Sequence, residues 1–191
     1  MEEESLLGGW LCGKRICLKK EDGWSGALTL PRELYLKEDH LYMRPVEELK
    51  SLRIDDGKQE SYSLTEPVMI SQGKKQAEVN LNIPASDFTI HLKHQHNDLL
   101  SLKYDDESQK FTLYRNDIGD YRYATVQSSD NLNLQLYIDT SSIEIFINDG
   151  EAVFTERYYS EEAPEVWVSS EEVVNLETSV YELEQQAIQF D

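Results

Sequence analysis

The sequence predicts an all-β protein, an antiparallel two-sheet β-sandwich with a jelly-roll-like character, preceded by a short N-terminal tail. Three observations predict it. Runs of period-two alternation recur along most of the 191 residues. Polar turns carrying Asp, Asn, Ser or Gly separate them at the short spacing typical of sandwiches and barrels. The one stretch with a helical look, "PVEELKSLR" at 45–53, is short.

Taken in order, the first 24 residues stand apart. They scatter Leu6, Leu7, Trp10, Leu11, Ile16 and Leu18 among glycines and lysines, with no sheet of their own in view. A boundary near Trp24 divides a tail, 1–24, from a sandwich domain, 25–191. Strand runs then follow at 26–30, 33–46, 77–83, 87–94, 98–105 and 109–116, and at 131–139, 142–148, 151–158, 165–170 and 174–183. Alternation locates the core. Phe88, Ile90 and Leu92 share one face of their strand, as do Leu132, Leu134, Leu136 and Ile138. The run 174–183 is less regular, and an edge position is expected for it.

The stretch "SSIEIFINDGEAVFTER", 141–157, gathers Glu144, Asp149 and Glu151 around a glycine and invites a catalytic reading. Its alternation predicts a hairpin instead. Asp149-Gly150 suits a two-residue type I′ loop, since both positions of that turn need positive φ. The register then sets Ile147 against Ala152, Phe146 against Val153, Ile145 against Phe154 and Glu144 against Thr155. Ile143, Ile145, Ile147, Ala152 and Phe154 share the apolar face. Phe146 and Val153 form a smaller apolar spot on the other face, expected to be covered by a loop or a second domain. Glu144 is expected near Arg157 across the hairpin, and Glu151 as a solvated strand residue.

Composition excludes several classes. The 18 basic and 37 acidic residues give a net charge of −19, which repels nucleic-acid phosphates and anionic lipids. A phosphorylated substrate is disfavoured unless a local basic pocket overrides that field. No apolar run approaches the length of a transmembrane helix, and the start "MEEESLLGGW" is acidic where a signal peptide is basic. Met1 is read as a start, though a cloning start looks the same. The only cysteines, Cys12 and Cys17, match no zinc or redox spacing and make no disulfide framework. A cytoplasmic protein without a cofactor, a nucleic-acid partner or a membrane is therefore expected.

Two stretches carry a resemblance. "GWSGALTLPRELYLKEDHLYMRPVEELKSLR", 23–53, resembles the start of the C-terminal β-sandwich of glycoside hydrolase family 32, which includes sucrose-6-phosphate hydrolases, invertases and levanases. "SSIEIFINDGEAVFTER" resembles the hairpin near the far end of that sandwich, and "GGWLCG", 8–13, the last strand of the propeller before it. The resemblance implies that 23 to about 184 form the sandwich. Between its two ends the assignment rests on strand pattern: 113–126 agrees loosely, and 60–76 matches no motif of the family.

The family's chemistry resides in a five-bladed propeller, in an Asn-Asp-Pro-Asn, an Arg-Asp-Pro and a Glu-Cys motif. Here the prolines follow Leu30, Arg44, Glu66, Ile83 and Ala163, and the cysteines follow Leu11 and Ile16. Neither Asp-Pro nor Glu-Cys occurs, so no catalytic residue carries over. The expectation is a non-catalytic module with a structural, propeller-docking or oligomerisation role. It is either a fragment, a degenerate product, or a subunit serving a propeller on another chain. A bare sandwich would expose an apolar patch, for the tail or a homodimer to cover.

The alternative is a carbohydrate-binding module for fructans, and the least favoured reading is a β-fructofuranosidase active on its own. Tyr121 and Tyr123, flanking Arg122, and Trp167, with Val166 and Val168 on the opposite face, are the sugar-stacking candidates. His91, His94 and His96 form an H-x-x-H-x-H cluster. His91 and His94 point to opposite sides of an extended strand, so no metal site is expected.

Overall fold

A computed structural model of the chain describes residues 5–7, 28–95 and 97–184, residues 5–7 by backbone alone. Among these residues, fifteen strands and one short 3-10 segment make up the regular structure. The remainder of the predicted tail, with Trp10, Leu11, Ile16 and Leu18, lies outside the described residues, as does His96.

A three-stranded sheet comes first, formed by β1 (Ser5–Leu7), β2 (Arg32–Lys37) and β3 (His40–Pro45). The run 33–46, expected as one strand, is this β2–β3 hairpin. Lys37 pairs with His40, and the two residues between them, Glu38 and Asp39, take φ of +50° and +62°. The two-residue primed turn therefore falls here. Residues 28–30, expected as strand, hold only an isolated bridge at Leu28. The predicted helix is a 3-10 segment, Glu47–Leu52. Six residues between extended flanks close too few hydrogen bonds for a stable α-helix.

The sandwich follows. Its strands are β4 (Lys58–Leu64), β5 (Val68–Ser71), β6 (Ala77–Pro84), β7 (Phe88–His94), β8 (Asn97–Asp105) and β9 (Lys110–Arg115). They continue as β10 (Asp120–Thr125), β11 (Asn131–Asp139), β12 (Ser142–Ile147), β13 (Ala152–Arg157), β14 (Glu165–Ser169) and β15 (Val174–Glu182). One six-stranded antiparallel sheet runs β10-β9-β8-β7-β14-β5, the other β13-β12-β11-β6-β15-β4. Between them lies one continuous core. Phe88, Leu102, Phe111 and Leu113 line it from the first sheet, and Leu81, Leu134, Leu136 and Ile145 from the second.

The segment 60–76, which carries no motif of the resemblance, supplies most of β4 and all of β5, an edge strand in each sheet. The run expected at an edge, β15, is interior, paired with β6 and with β4. Val174, Leu176, Thr178 and Val180 face the core while Asn175, Glu177 and Ser179 face outward. Its irregular look came from Thr178, buried on the core face, and Tyr181 on the outward one, not from a free edge.

At one border of the sandwich, charge replaces hydrocarbon. Arg115 of β9 is buried and its Nη1 lies 3.2 Å from the Glu156 carboxylate of β13. Arg122 of β10 approaches the same carboxylate at 3.3 Å, and Asp117 takes a second Arg115 nitrogen at 2.6 Å. Burial pushes the Glu156 carboxyl above its ordinary range, against the pull of both guanidinium groups.

Candidate functional site

The 141–157 hairpin has the predicted register: Ile147 pairs with Ala152, Phe146 with Val153, Ile145 with Phe154 and Glu144 with Thr155. Its loop differs. Asn148, Asp149 and Gly150 all take positive φ, +49°, +56° and +87°. Gly150 N donates to the Ile147 carbonyl at 3.0 Å and Glu151 N to the Asn148 carbonyl at 3.3 Å. Four residues therefore turn the chain where two were expected. The reason is a docking contact. Met43 N donates to the Gly150 carbonyl at 2.9 Å, and a Cβ on Gly150 would sit 2.1 Å from the Met43 carbonyl oxygen. The tip is shaped to lie against β3.

Each carboxylate of this stretch has a structural partner. Glu144, buried, bonds to Arg32 and accepts from Leu30 N at 2.6 Å, while Arg32 also donates to Thr155 Oγ1 at 2.5 Å. The expected partner, Arg157, instead lays its guanidinium 5.2 Å from the Tyr159 ring centre. Glu151 is buried, not solvated: it accepts from Gln127 N and from Asn148 Nδ2 at 2.9 Å. Alternation sorts residues by face but does not reveal that an outward face is covered. The apolar spot of Phe146 and Val153 is roofed by a loop, the segment carrying Val46, Leu49 and Leu52.

The same roof carries Arg53 onto Glu78 of β6, at 2.7 Å and 2.6 Å in a bidentate pair. Glu78 also accepts from Gln135 Nε2 at 2.9 Å and Asn80 Nδ2 at 3.0 Å. Burial alone would raise its pKa. The hydrogen bonds from Arg53, Gln135 and Asn80 outweigh burial and hold the carboxyl below its ordinary range.

Beyond the roof this face opens into a groove of about 760 Å³ lined by Asn80, Asn82, Asn133, Gln135, Ser179 and others. Register builds it. Ser179 pairs with Asn80 and Asn80 with Gln135; Glu177 pairs with Asn82 and Asn82 with Asn133. Two rows of amides and hydroxyls, with the Glu177 carboxylate in the second, thus cross adjacent strands. The sequence reading missed this groove. Its signal was present in "AEVNLNI" and "NLNLQLYID", where several of the polar positions between aliphatics are amides.

On the other sheet, the stacking candidates lie on the outward face. Tyr121 and Tyr123 are exposed, with ring centres 6.2 Å apart and planes 3° from parallel. Tyr114 packs on Tyr121 at 4.6 Å, and Lys110 Nζ sits 4.1 Å from the Tyr123 ring centre. Trp167 is half-buried. Its Nε1 donates to Glu165 at 2.8 Å, and Lys93 Nζ lies 5.5 Å from its ring centre. Val166 and Val168 face the core as expected.

Pairing runs Tyr121, Tyr114, Ser101, His91, Trp167 across successive strands, so both ends of the candidate strip share one row. Four strand spacings put those ends about 19 Å apart. His91 contacts Asp98 at 3.3 Å and Ser169 at 3.4 Å, while His94 contacts Glu162 at 3.4 Å. Among the described residues no group of three or more His, Cys, Asp or Glu side chains is placed to hold a metal ion, and no helix is long and apolar enough to cross a membrane.

Fold and faces together define a β-sandwich module with a roofed sheet, whose hairpin carboxylates hold the roof and the turn in place. Residues 46–182 match the family description for the C-terminal part of family 32 glycosyl hydrolases. The chain is 33% identical over 149 residues to a sucrose-6-phosphate hydrolase of Escherichia coli, covering 73% of this chain and 30% of that protein. It is 30% identical over 172 residues to a sucrose-6-phosphate hydrolase of Staphylococcus xylosus, covering 83% and 35%. A family 32 β-fructofuranosidase of Bombyx mori superposes with a TM-score of 0.78 at 26% identity, over 95% of this chain and 38% of that one. The chain belongs to glycoside hydrolase family 32 and corresponds to its C-terminal β-sandwich. It spans about a third of the length of the curated relatives it matches.

Proposed function

We propose that this chain serves as a non-catalytic β-sandwich module of a sucrose- or fructan-hydrolase-like protein, in the cytoplasm, with a structural role. It docks on a β-propeller or forms an oligomer contact. The observation that carries this reading is the use of the hairpin carboxylates: Glu144 holds Arg32 and Leu30 N, and Glu151 holds Gln127 N and Asn148. A retaining glycosidase instead needs two carboxyl groups about 5–5.5 Å apart flanking the bond it cuts. Purified chain incubated with sucrose and sucrose 6-phosphate is expected to release no fructose above the buffer control. Turnover abolished by one carboxylate substitution would refute the reading. Sedimentation of the chain alone, and mixed with a separately produced family propeller, is expected to show a complex in one of the two cases. A lone monomer in both would end the docking role.

A second reading rests on the parallel, exposed rings of Tyr121 and Tyr123, with Tyr121 in one row with Trp167. Such faces stack on the apolar C–H faces of sugars. Titration calorimetry with levan, inulin and sucrose tests it. Heat lost in Tyr121→Ala supports a carbohydrate-binding role for this strip, and no heat at millimolar ligand ends it.

A further inference from the structure

We propose that the amide groove on the roofed sheet is a binding site for a neutral saccharide, and that it discriminates against phosphorylated sugars. The groove's volume, about 760 Å³, lies within the range of about 300–1,000 Å³ common to small-ligand sites. Its chemistry is that of a polyol partner. A sugar hydroxyl both donates and accepts, so a surface that offers both roles at fixed positions suits it.

The positions here are fixed from below. Glu78, fully buried and held ionised, can only accept, so Asn80 and Gln135 must both turn their NH2 groups to it, at 3.0 Å and 2.9 Å. That turns their carbonyl oxygens away from Glu78, and both residues line the groove. One row over, Asn82 Nδ2 donates to Asn133 Oδ1 at 2.8 Å. The pair keeps the Asn82 carbonyl as acceptor and the Asn133 NH2 as donor. Ser61 and Ser179 add hydroxyls along the same lining. Side chains oriented by a buried anchor, as Asn80 and Gln135 are by Glu78, lose little freedom on binding.

Charge sets the selectivity. The cations in the lining are committed, Arg53 to Glu78 and Lys50 to Glu47 at 2.5 Å. Glu60, Asp149 and Glu177 also line the groove. A phosphate ester would meet carboxylates and no uncommitted cation among the described lining residues.

The test is a titration of the isotope-labelled chain with kestose, sucrose and sucrose 6-phosphate, followed through the side-chain amide signals by two-dimensional NMR. Kestose is expected to shift the amides of Asn82, Asn133 and Gln135. Sucrose is expected to bind at the same amides at least about tenfold more tightly than its 6-phosphate. Asn133→Ala, at an exposed position, is expected to weaken kestose binding about tenfold, the loss of one good hydrogen bond. Asn82→Ala is expected to do the same, and Tyr121→Ala to leave it unchanged. Unmoved groove amides at millimolar kestose would overturn the proposal. So would equal binding of the phosphate ester, or binding that depends on Tyr121 and not on Asn133. None of these results bears on the docking role, which sedimentation reads separately.

Discussion

The two sheets have the same number of strands and share one core, yet their outward faces are unlike. The second sheet buries Glu78 and Glu144 among its outward residues and covers them with a roof. The first leaves Tyr121 and Tyr123 open to solvent. The roof explains the difference. Residues 30–53 bring Arg53 to Glu78 and Arg32 to Glu144, and set Val46 and Leu49 against Tyr137 and Phe146. A carboxylate survives burial where a cation or several hydrogen-bond donors reach it. The first sheet has no such cover among the described residues, and its outward charges lie near the surface.

Four changes break or sharpen this contrast. Glu144→Ala should act most, leaving Arg32 buried without its carboxylate. A loss of about 3–5 kcal/mol is expected for a broken buried pair, read as a lower urea midpoint. His91→Ala on the open face should stay within about 0.5 kcal/mol. Next, Gly150→Ala should cost about 2–4 kcal/mol, because the new Cβ meets the Met43 carbonyl and the backbone holds a left-handed φ. Intact stability in that variant would mean that the hairpin tip does not dock on β3.

The third change is in pH. Glu78 titrates below its ordinary range when folded. Its stabilisation is therefore complete above the unfolded carboxylate range and is lost as pH falls through the lowered folded value. Glu156, raised by burial, acts in the opposite sense. It favours the folded state while protonated, and that contribution is lost as pH rises through its raised folded value. Urea midpoints across acidic pH should thus show a shallower acid decline in Glu78→Gln. Glu156→Gln should show a smaller loss as pH rises out of the carboxylate range. Parallel curves for wild type and both variants would refute the assignment. The last change is Tyr123→Ala, whose ring is exposed: like His91→Ala, it should stay within about 0.5 kcal/mol, with any larger consequence confined to sugar binding.

Where the contrast was legible beforehand, the reason is periodicity. Ile143, Ile145 and Ile147 alternate strictly, so their face and register could be read without coordinates. Tyr121, Tyr123 and Trp167 could likewise be placed on outward faces. Glu151 could not be read as buried, because what buries it is Gln127 N and Asn148, and the Gln127 contact spans 24 residues. The amide groove was equally hidden. Asn82 and Asn133 are neighbours only because β6 and β11 pair, 51 residues apart along the chain.

By itself, the sequence determined the all-β class, the core faces, the hairpin register and the family resemblance, since each is written in local alternation or in contiguous motifs. Tertiary structure alone decided the rest: which strands became edges, which outward face was roofed, where the primed turn fell, and which carboxylates gained partners. Those outcomes depend on contacts between segments far apart in the chain, and a period-two pattern specifies a face without specifying what comes to lie against it.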